Sequence, residues 1–170
     1  MRFLPPVPNS PWPIRFLGGL VDWTIVCMGA AMIALVFVNV VTHLFGRDIA
    51  RTTELCELMM VWVTFLGGAA AARRGAHMAI TEFLDKLDDT KRRAADGAIQ
   101  MFAIGVLGLL VIFGWKITQA GWGNQLTVLG WPMSTQYVAL PLASLLTILF
   151  VLWDLVLIVQ GKSRIERYGE

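Results

Sequence analysis

Two carboxylates one helical turn apart, Glu54 and Glu57, are the residues best placed to do chemistry in this chain. At positions i and i+3 they share a helix face, where acidic groups can bind a cation or pair with basic side chains. Arg47 and Arg51 lie nearby in the sequence, and two carboxylates alone make an incomplete metal site. We therefore expect an ion pair or hydrogen bond, within this chain or with a partner subunit, rather than cation coordination.

The remaining charged groups of the apolar segments lie toward the segment ends. Asp22, Asp96, Asp154 and Lys116 all follow this pattern, and no string of polar groups crosses any segment. A proton relay across a membrane needs such a string, so an independent pump is disfavoured. We also find no Ser-His-Asp set, metal-ligand cluster or phosphate-binding loop, and we predict neither an enzyme nor a cofactor.

The two histidines raise the question of haem, because membrane cytochromes hold iron between imidazoles from facing helices. His43 falls near one end of the first apolar segment and His77 just beyond the opposite end of the second. Most of a bilayer of about 30 Å would separate them. A haem-binding subunit is therefore disfavoured.

Four apolar segments account for most of the sequence, at 16–45, 52–72, 94–122 and 135–160. Each reaches the roughly 20 residues that a helix needs to cross a bilayer, where exposed backbone groups find no partner in lipid. Of the 170 residues, 56% are hydrophobic and only 15% charged, and the mean hydropathy is +0.65. We predict an all-α integral membrane protein, with residues 1–170 forming a single four-helix domain.

Basic residues predict the orientation of this domain. Most of the 14 Lys and Arg residues lie before the first segment, between the second and third, or after the fourth. Basic residues in short loops stay on the cytoplasmic side, so both termini should be cytoplasmic. The net charge of +2 is small and dispersed, which excludes nucleic acid as a partner.

The connecting segments predict three further features. Residues 1–15 form a proline-rich cytoplasmic lead-in without the arrangement of a signal peptide, so we expect the first helix to be retained. The segment 75–93 is amphipathic and predicts a short helix at the cytoplasmic interface, with a solvated turn as the alternative. The external loop near 121–137 is rich in Gly and Trp and is a candidate contact surface for an external partner.

Small residues recur along the second segment. Gly67, Ala71 and Gly75 are spaced by four residues, as are Gly68 and Ala72. Close approach of helices at small residues is a main source of association in lipid. The pattern alone leaves open whether another helix of this chain or a partner subunit packs there.

The order of several short motifs resembles one known family. ELCEL at 54–58 is followed by VWVTFLGGA at 61–69 and RRGAHM at 73–78, and a Trp-Pro, Tyr, Pro-Leu pattern spans 131–142. These motifs are similar to those of the small membrane subunit of TRAP (tripartite ATP-independent periplasmic) transporters, the DctQ-like family. Met78 stands where isoleucine or valine is more usual in that family.

The resemblance implies a bacterial inner-membrane protein that works with partners. In that family a large membrane subunit carries the substrate and sodium sites, and a periplasmic binding protein delivers the solute. This chain would scaffold the large subunit, among membrane lipids, during sodium-coupled uptake of an organic acid, and would hold no cofactor itself. The resemblance and the packing pattern together give these structural or interface candidates: Glu54, Glu57, Trp62, Gly67, Gly68, Arg73, Gly75 and His77.

Two other classes share the helix count. A small multidrug-type transporter works as a dimer and uses a membrane-embedded glutamate in its first helix, whereas the first segment here has only Asp22 near one end. A noncatalytic anchor subunit of a respiratory or assembly complex is the other alternative.

Overall fold

The computed structural model describes residues 12–46, 49–74 and 89–160, and these ranges are helical without any strand. The helices are α1 (Trp12–Leu44), α2 (Ala50–Arg73), α3 (Asp89–Ala120), the short α4 (Ser134–Tyr137) and α5 (Ala139–Val159), and a single 3-10 turn (Gly121–Gly123) follows α3. Four stretches of the described residues are long and apolar enough to cross a membrane: Trp12–Leu44, Ala50–Arg73, Gly97–Gly123 and Ser134–Val159. The predicted all-α, four-helix membrane fold is confirmed.

α1 and α3 begin four and five residues earlier than the apolar pattern indicated, and α2 begins two residues earlier. α1 already includes Trp12, so residues 12–15 of the predicted lead-in are helical. Pro13 is compatible with this start because a proline in the first turn of a helix forfeits no intrahelical hydrogen bond. α3 begins at Asp89, inside the segment predicted to form an interfacial helix. The rest of that segment, 75–88, lies outside the described residues, and the interfacial helix stays a prediction.

The four long helices lie side by side in the order α1, α2, α5, α3. α2 and α5 are therefore central, while α1 packs mainly on α2 and α3 mainly on α5. Val21 of α1 and Leu66 and Ala70 of α2 form a buried cluster at the α1–α2 contact. Ile25, Trp62 and Leu146 pack against this cluster and extend it to α5.

The outer helices leave many large apolar side chains exposed. Phe37 of α1 is 68% exposed and Phe102 of α3 is 76% exposed, and similar residues continue along both helices. In water such a surface would drive aggregation, whereas in a bilayer it contacts lipid or another membrane subunit. The arrangement gives this chain wide apolar faces and little enclosed interior.

Candidate functional site

The two ends of the helix row carry different polar contacts. We call the end with residues 121–137 the loop end, and the end with Asp22 and Arg73 the arginine end. The charge distribution predicts that the loop end is external and the arginine end cytoplasmic.

At the loop end, Glu54 holds the α3–α5 connection through backbone hydrogen bonds. Its Oε2 atom accepts the N–H groups of Val128, at 2.9 Å, and Leu129, at 2.6 Å. A carboxylate that accepts backbone N–H groups makes a charge-assisted bond that is stronger than a neutral one. The sequence predicted an ion pair or a hydrogen bond here, with Arg47 or Arg51 as candidate partners, and in the described part of the chain Glu54 is hydrogen-bonded to this loop.

The loop has internal order that presents those N–H groups. Leu126 N–H donates to the Trp131 carbonyl at 2.7 Å, and Gly130 N–H donates to the Leu126 carbonyl at 3.0 Å. Gly130 has a φ of +69°, which a residue with a side chain rarely adopts. The tight turn at 126–131 therefore presents two backbone donors to the Glu54 carboxylate.

Trp62, farther along α2 from the loop end than Glu54, also hydrogen-bonds the α3–α5 connection. Its indole Nε1–H donates to the Thr135 carbonyl at 3.1 Å, and Ser134 Oγ donates to the Thr118 carbonyl at 2.7 Å. These bonds attach α4 to α2 on one side and to α3 on the other. The position of Trp62 away from the helix ends, unusual for an interfacial anchor, is explained by this tertiary bond.

At the arginine end, Asp22 of α1 binds two consecutive arginines of α2. Its carboxylate lies 2.5 Å from Arg73 Nη2 and 2.7 Å from Arg74 Nη2. The Arg73 guanidinium also lies 5.9 Å from the centre of the Phe150 ring of α5. Gly18 makes this arrangement possible, because a side chain there would occupy the space of the Arg73 guanidinium.

Arg73 was predicted as a candidate from the sequence, but its partner Asp22 was not. Asp22 was weighed only as a member of a proton relay, although α1 and α2 are antiparallel neighbours and their ends must meet. The sequence did contain a signal for this ion pair: α1 has one acid near its start, and α2 ends in two arginines. Gly75 and His77, the other candidates at this end, lie outside the described residues.

A second interhelical bond joins α3 to α5. Gln100 Nε2 donates to Asp154 Oδ2 at 2.7 Å, and Asp154 is 8% exposed. Amide and carboxylate groups that bond across helices stabilise bundles in lipid. We did not predict this pair, because Gln100 had no distinguishing sequence signal.

α2 has two contrasting faces. Leu66, Ala69 and Ala70 are buried against the rest of the chain, with 5%, 1% and 5% of their surfaces exposed. On the opposite side the exposed residues follow helical spacing, and we call them the uncovered face of α2: Glu57, Met60, Thr64, Gly68 and Ala71. Alanines on the covered face thus provide the close approach within this chain.

The glycines that we predicted as packing residues have no neighbour within the described chain. A Cβ built on Gly67 or Gly68 would meet no atom within 4 Å. Gly68 lies on the uncovered face and Gly67 at its edge. In the part of the chain that the structure describes, intramolecular packing does not account for these glycines.

The described residues do not bring three or more His, Cys, Asp or Glu side chains together as a metal site would require. The polar contacts instead fasten helix to helix and loop to helix at the two ends. The fold and these contacts define a helical membrane protein with broad apolar lateral faces.

Comparison with known proteins identifies the family. Residues 32–161 match the family described as Tripartite ATP-independent periplasmic transporters, DctQ component. The chain belongs to this family and is a multi-pass protein of the bacterial inner membrane.

Individual relatives agree with this assignment. A Haemophilus influenzae protein provisionally named as a TRAP transporter small permease protein is 26% identical over 133 residues, which cover 78% of this chain and 83% of the relative. The ectoine TRAP transporter small permease protein TeaB of Halomonas elongata is 29% identical over 140 residues, covering 76% and 72%. The sialic acid TRAP transporter small permease protein SiaQ of Vibrio cholerae is 27% identical over 88 residues, covering 52% and 51%.

Proposed function

We propose that this chain is the scaffold for a large TRAP membrane subunit, which packs on the uncovered face of α2. The observation that carries the proposal is that a Cβ added to Gly67 or Gly68 would meet no atom of the described residues within 4 Å, although small residues in membrane helices commonly mark a close helix contact. A side chain from a partner helix can reach the α2 backbone there.

The row of four helices supports a bracing role. Its contacts at both ends hold α1 to α2, α2 to the α3–α5 connection and α3 to α5, which makes the row suited to stay fixed while a partner moves. Asp22, Asp154 and Glu54 each have a partner within the chain. These carboxylates hold the scaffold together rather than carry a solute.

We propose that solute and sodium bind to other subunits, and that a periplasmic binding protein delivers the solute to the loop end. Relatives named for ectoine and sialic acid both handle solutes that carry a carboxylate. An organic acid is therefore the proposed solute class. Trp122 and Trp131, which are 72% and 48% exposed at the loop end, offer a surface for the binding protein.

The test is purification of the affinity-tagged chain from its native bacterium in mild detergent, followed by reconstitution. We expect a large polytopic membrane subunit to co-purify, and we expect solute uptake into liposomes only when that subunit and the binding protein are present. A homodimer that transports alone would contradict the proposal. A Glu54→Gln variant should impair assembly or stability more than sodium dependence, and an altered sodium requirement in an intact complex would reverse the role given to Glu54.

A further inference from the structure

A cleft of about 250 Å³ opens between α1 and α2 near the loop end. Most of its lining surface is apolar, and its polar members are Asn39 from α1 and Thr52, Thr53 and Glu57 from α2. Ligand pockets for whole small molecules usually measure about 300 to 1,000 Å³. The cleft is thus closer in size to a single inserted side chain than to a solute.

Among the described residues, Glu57 is the one carboxylate that lines this cleft. It is exposed, and in the described part of the chain neither a hydrogen bond nor an ion pair satisfies it. Its neighbour Glu54, one turn away, is in contrast satisfied by the loop. The two glutamates looked equivalent in the sequence, but among the described residues Glu54 has hydrogen-bond donors and Glu57 has none.

Glu57 lies inside a membrane-spanning helix, where a carboxylate without a partner among the described residues is unusual. It lies two turns into α2, about 10 Å along the axis from Ala50 at 1.5 Å per residue. Charged groups within spanning segments are costly unless they are paired, hydrated or buried against protein. Asn39 lies across the cleft, but among the described residues its amide makes no hydrogen bond to Glu57, and its Oδ1 accepts the Ile49 N–H at 3.4 Å.

We propose that the cleft receives a basic side chain, arginine or lysine, from the large membrane subunit, and that this side chain pairs with Glu57. This inference rests on the proposed function. Charge complementarity selects a cation as the occupant, because the cleft offers an unpaired carboxylate within an apolar lining.

The position of the cleft selects a membrane subunit as the source of that cation. Glu57 and Met60 line the cleft and also begin the uncovered face that continues through Thr64 and Gly68. A partner helix that packs on Gly68 and runs along the uncovered face would reach the cleft near the loop end of α2. The ion pair would thereby fix the register of the partner helix, a role in which charged pairs add specificity.

A metal ion fits the cleft less well than a basic side chain. Calcium takes six to eight oxygen ligands and magnesium near-ideal octahedral geometry. One carboxylate with an amide and hydroxyl groups falls short of such a set, and no cluster of three acidic, histidine or cysteine side chains forms among the described residues.

The experiment measures the amount of large subunit recovered per tagged small subunit for Glu57→Gln, Glu57→Lys and Glu57→Asp. We expect the first two to lower recovery by about tenfold or more, with lysine the more severe because like charges would then meet. Glu57→Asp should retain most of the complex. The matched control is Lys116→Gln, which removes an exposed charge at the loop end of α3 on the opposite edge of the row.

Two further measurements separate pairing from folding. The melting temperature of the isolated small subunit should be the same for Glu57→Gln and the wild type, because Glu57 contributes no bond within the described chain. Reversal of the matching basic residue of the large subunit to glutamate should restore the complex with Glu57→Lys. A lower melting temperature of the isolated variant would assign Glu57 to folding instead and overturn the proposal.

The remaining outcomes are distinguishable. Wild-type recovery with Glu57→Lys would overturn the cleft proposal while leaving the scaffold function intact. An intact Glu57→Lys complex that has lost co-purifying phosphatidylethanolamine, measured by lipid mass spectrometry, would assign the cleft to a lipid ammonium group and overturn it as well. Failure of the wild-type chain to recover any large membrane subunit would refute the proposed function itself.

Discussion

The two faces of α2 differ in what covers them, although both are rich in small residues. Ala69 and Ala70 are buried, and Ala70 belongs to the cluster with Val21 of α1, whereas a Cβ added to Gly67 or Gly68 would meet no atom of the described residues within 4 Å. Small residues allow close helix approach wherever a helix is present to approach. One face of α2 therefore holds this chain together, and the other is open among the described residues and is the face that we propose for assembly.

Breaking the ion pair beneath the covered face should have the largest effect on the isolated chain. Asp22→Asn leaves Arg73 and Arg74 without their carboxylate in a site where the aspartate and Arg73 side chains are only 17% and 12% exposed. Removing one partner of a fully buried pair costs about 3 to 5 kcal/mol, and this pair is partly buried, so we expect a smaller but clear fall in the free energy of unfolding in detergent. Arg74→Gln is the control with a smaller expected effect, since Arg74 is 39% exposed. Equal stability of wild type and Asp22→Asn would contradict this account of the arginine end.

Overfilling the covered face should have the next largest effect. Ala70→Leu inserts a larger side chain beside Val21 and Leu66, where Ala70 is 5% exposed. Extra methylene groups in a packed site typically cost about 1 to 3 kcal/mol. Thermal unfolding of the purified chain checks this. A melting temperature at the wild-type value would show that the α1–α2 contact is looser than described.

Removing the Glu54 carboxylate should have a smaller, local effect. Glu54→Ala deprives the Val128 and Leu129 N–H groups of their acceptor, and we expect a loss of about 1 kcal/mol because Val128 is partly exposed. Hydrogen exchange of the loop amides, followed by mass spectrometry, should become faster. Glu54→Gln should keep part of the protection, since its amide oxygen can still accept. If hydrogen exchange in Glu54→Ala equals that of the wild type, the loop is stabilised by its internal hydrogen bonds and not by Glu54.

Enlarging the uncovered face should have the smallest effect on the isolated chain and the sharpest on assembly. Gly68→Leu meets open space, so we expect its free energy of unfolding to stay within about 0.5 kcal/mol of the wild type, as for other substitutions on an exposed surface. Recovery of the large subunit should nevertheless fall, because the added side chain separates the partner helix from α2. Gly67→Leu, at the edge of the same face, should act in the same direction. If Gly68→Leu lowers the melting temperature but leaves recovery of the large subunit unchanged, the uncovered face contributes to folding and not to assembly.

The fold was largely predictable, because length and hydropathy alone require helices in a bilayer. The helix ends were less so: Trp12 joins α1 and Asp89 joins α3 although neither lies in an apolar run. Helices continue past the hydrocarbon region wherever the backbone can keep its hydrogen bonds, and hydropathy does not record this.

The candidate site was predictable only in part. Glu54 and Trp62 were found as candidates, but their partners are backbone groups of residues 128, 129 and 135, which no side-chain pattern can reveal. Whether Gly68 faces inward or outward depends on which neighbours α2 acquires, and that order is a property of the whole row. Glu57 and Glu54 have the same chemistry, and only the position of the loop distinguishes them.

Photo-crosslinking within the assembled transporter tests the central claim most directly. A photoreactive residue placed at exposed position 64, on the uncovered face of α2, is compared with one at position 113, where Phe113 of α3 is 55% exposed. The account predicts that position 64 crosslinks to the large membrane subunit and that position 113 does not. Crosslinking to that subunit from position 113 but not from position 64 would contradict the claim that the uncovered face of α2 is the assembly surface.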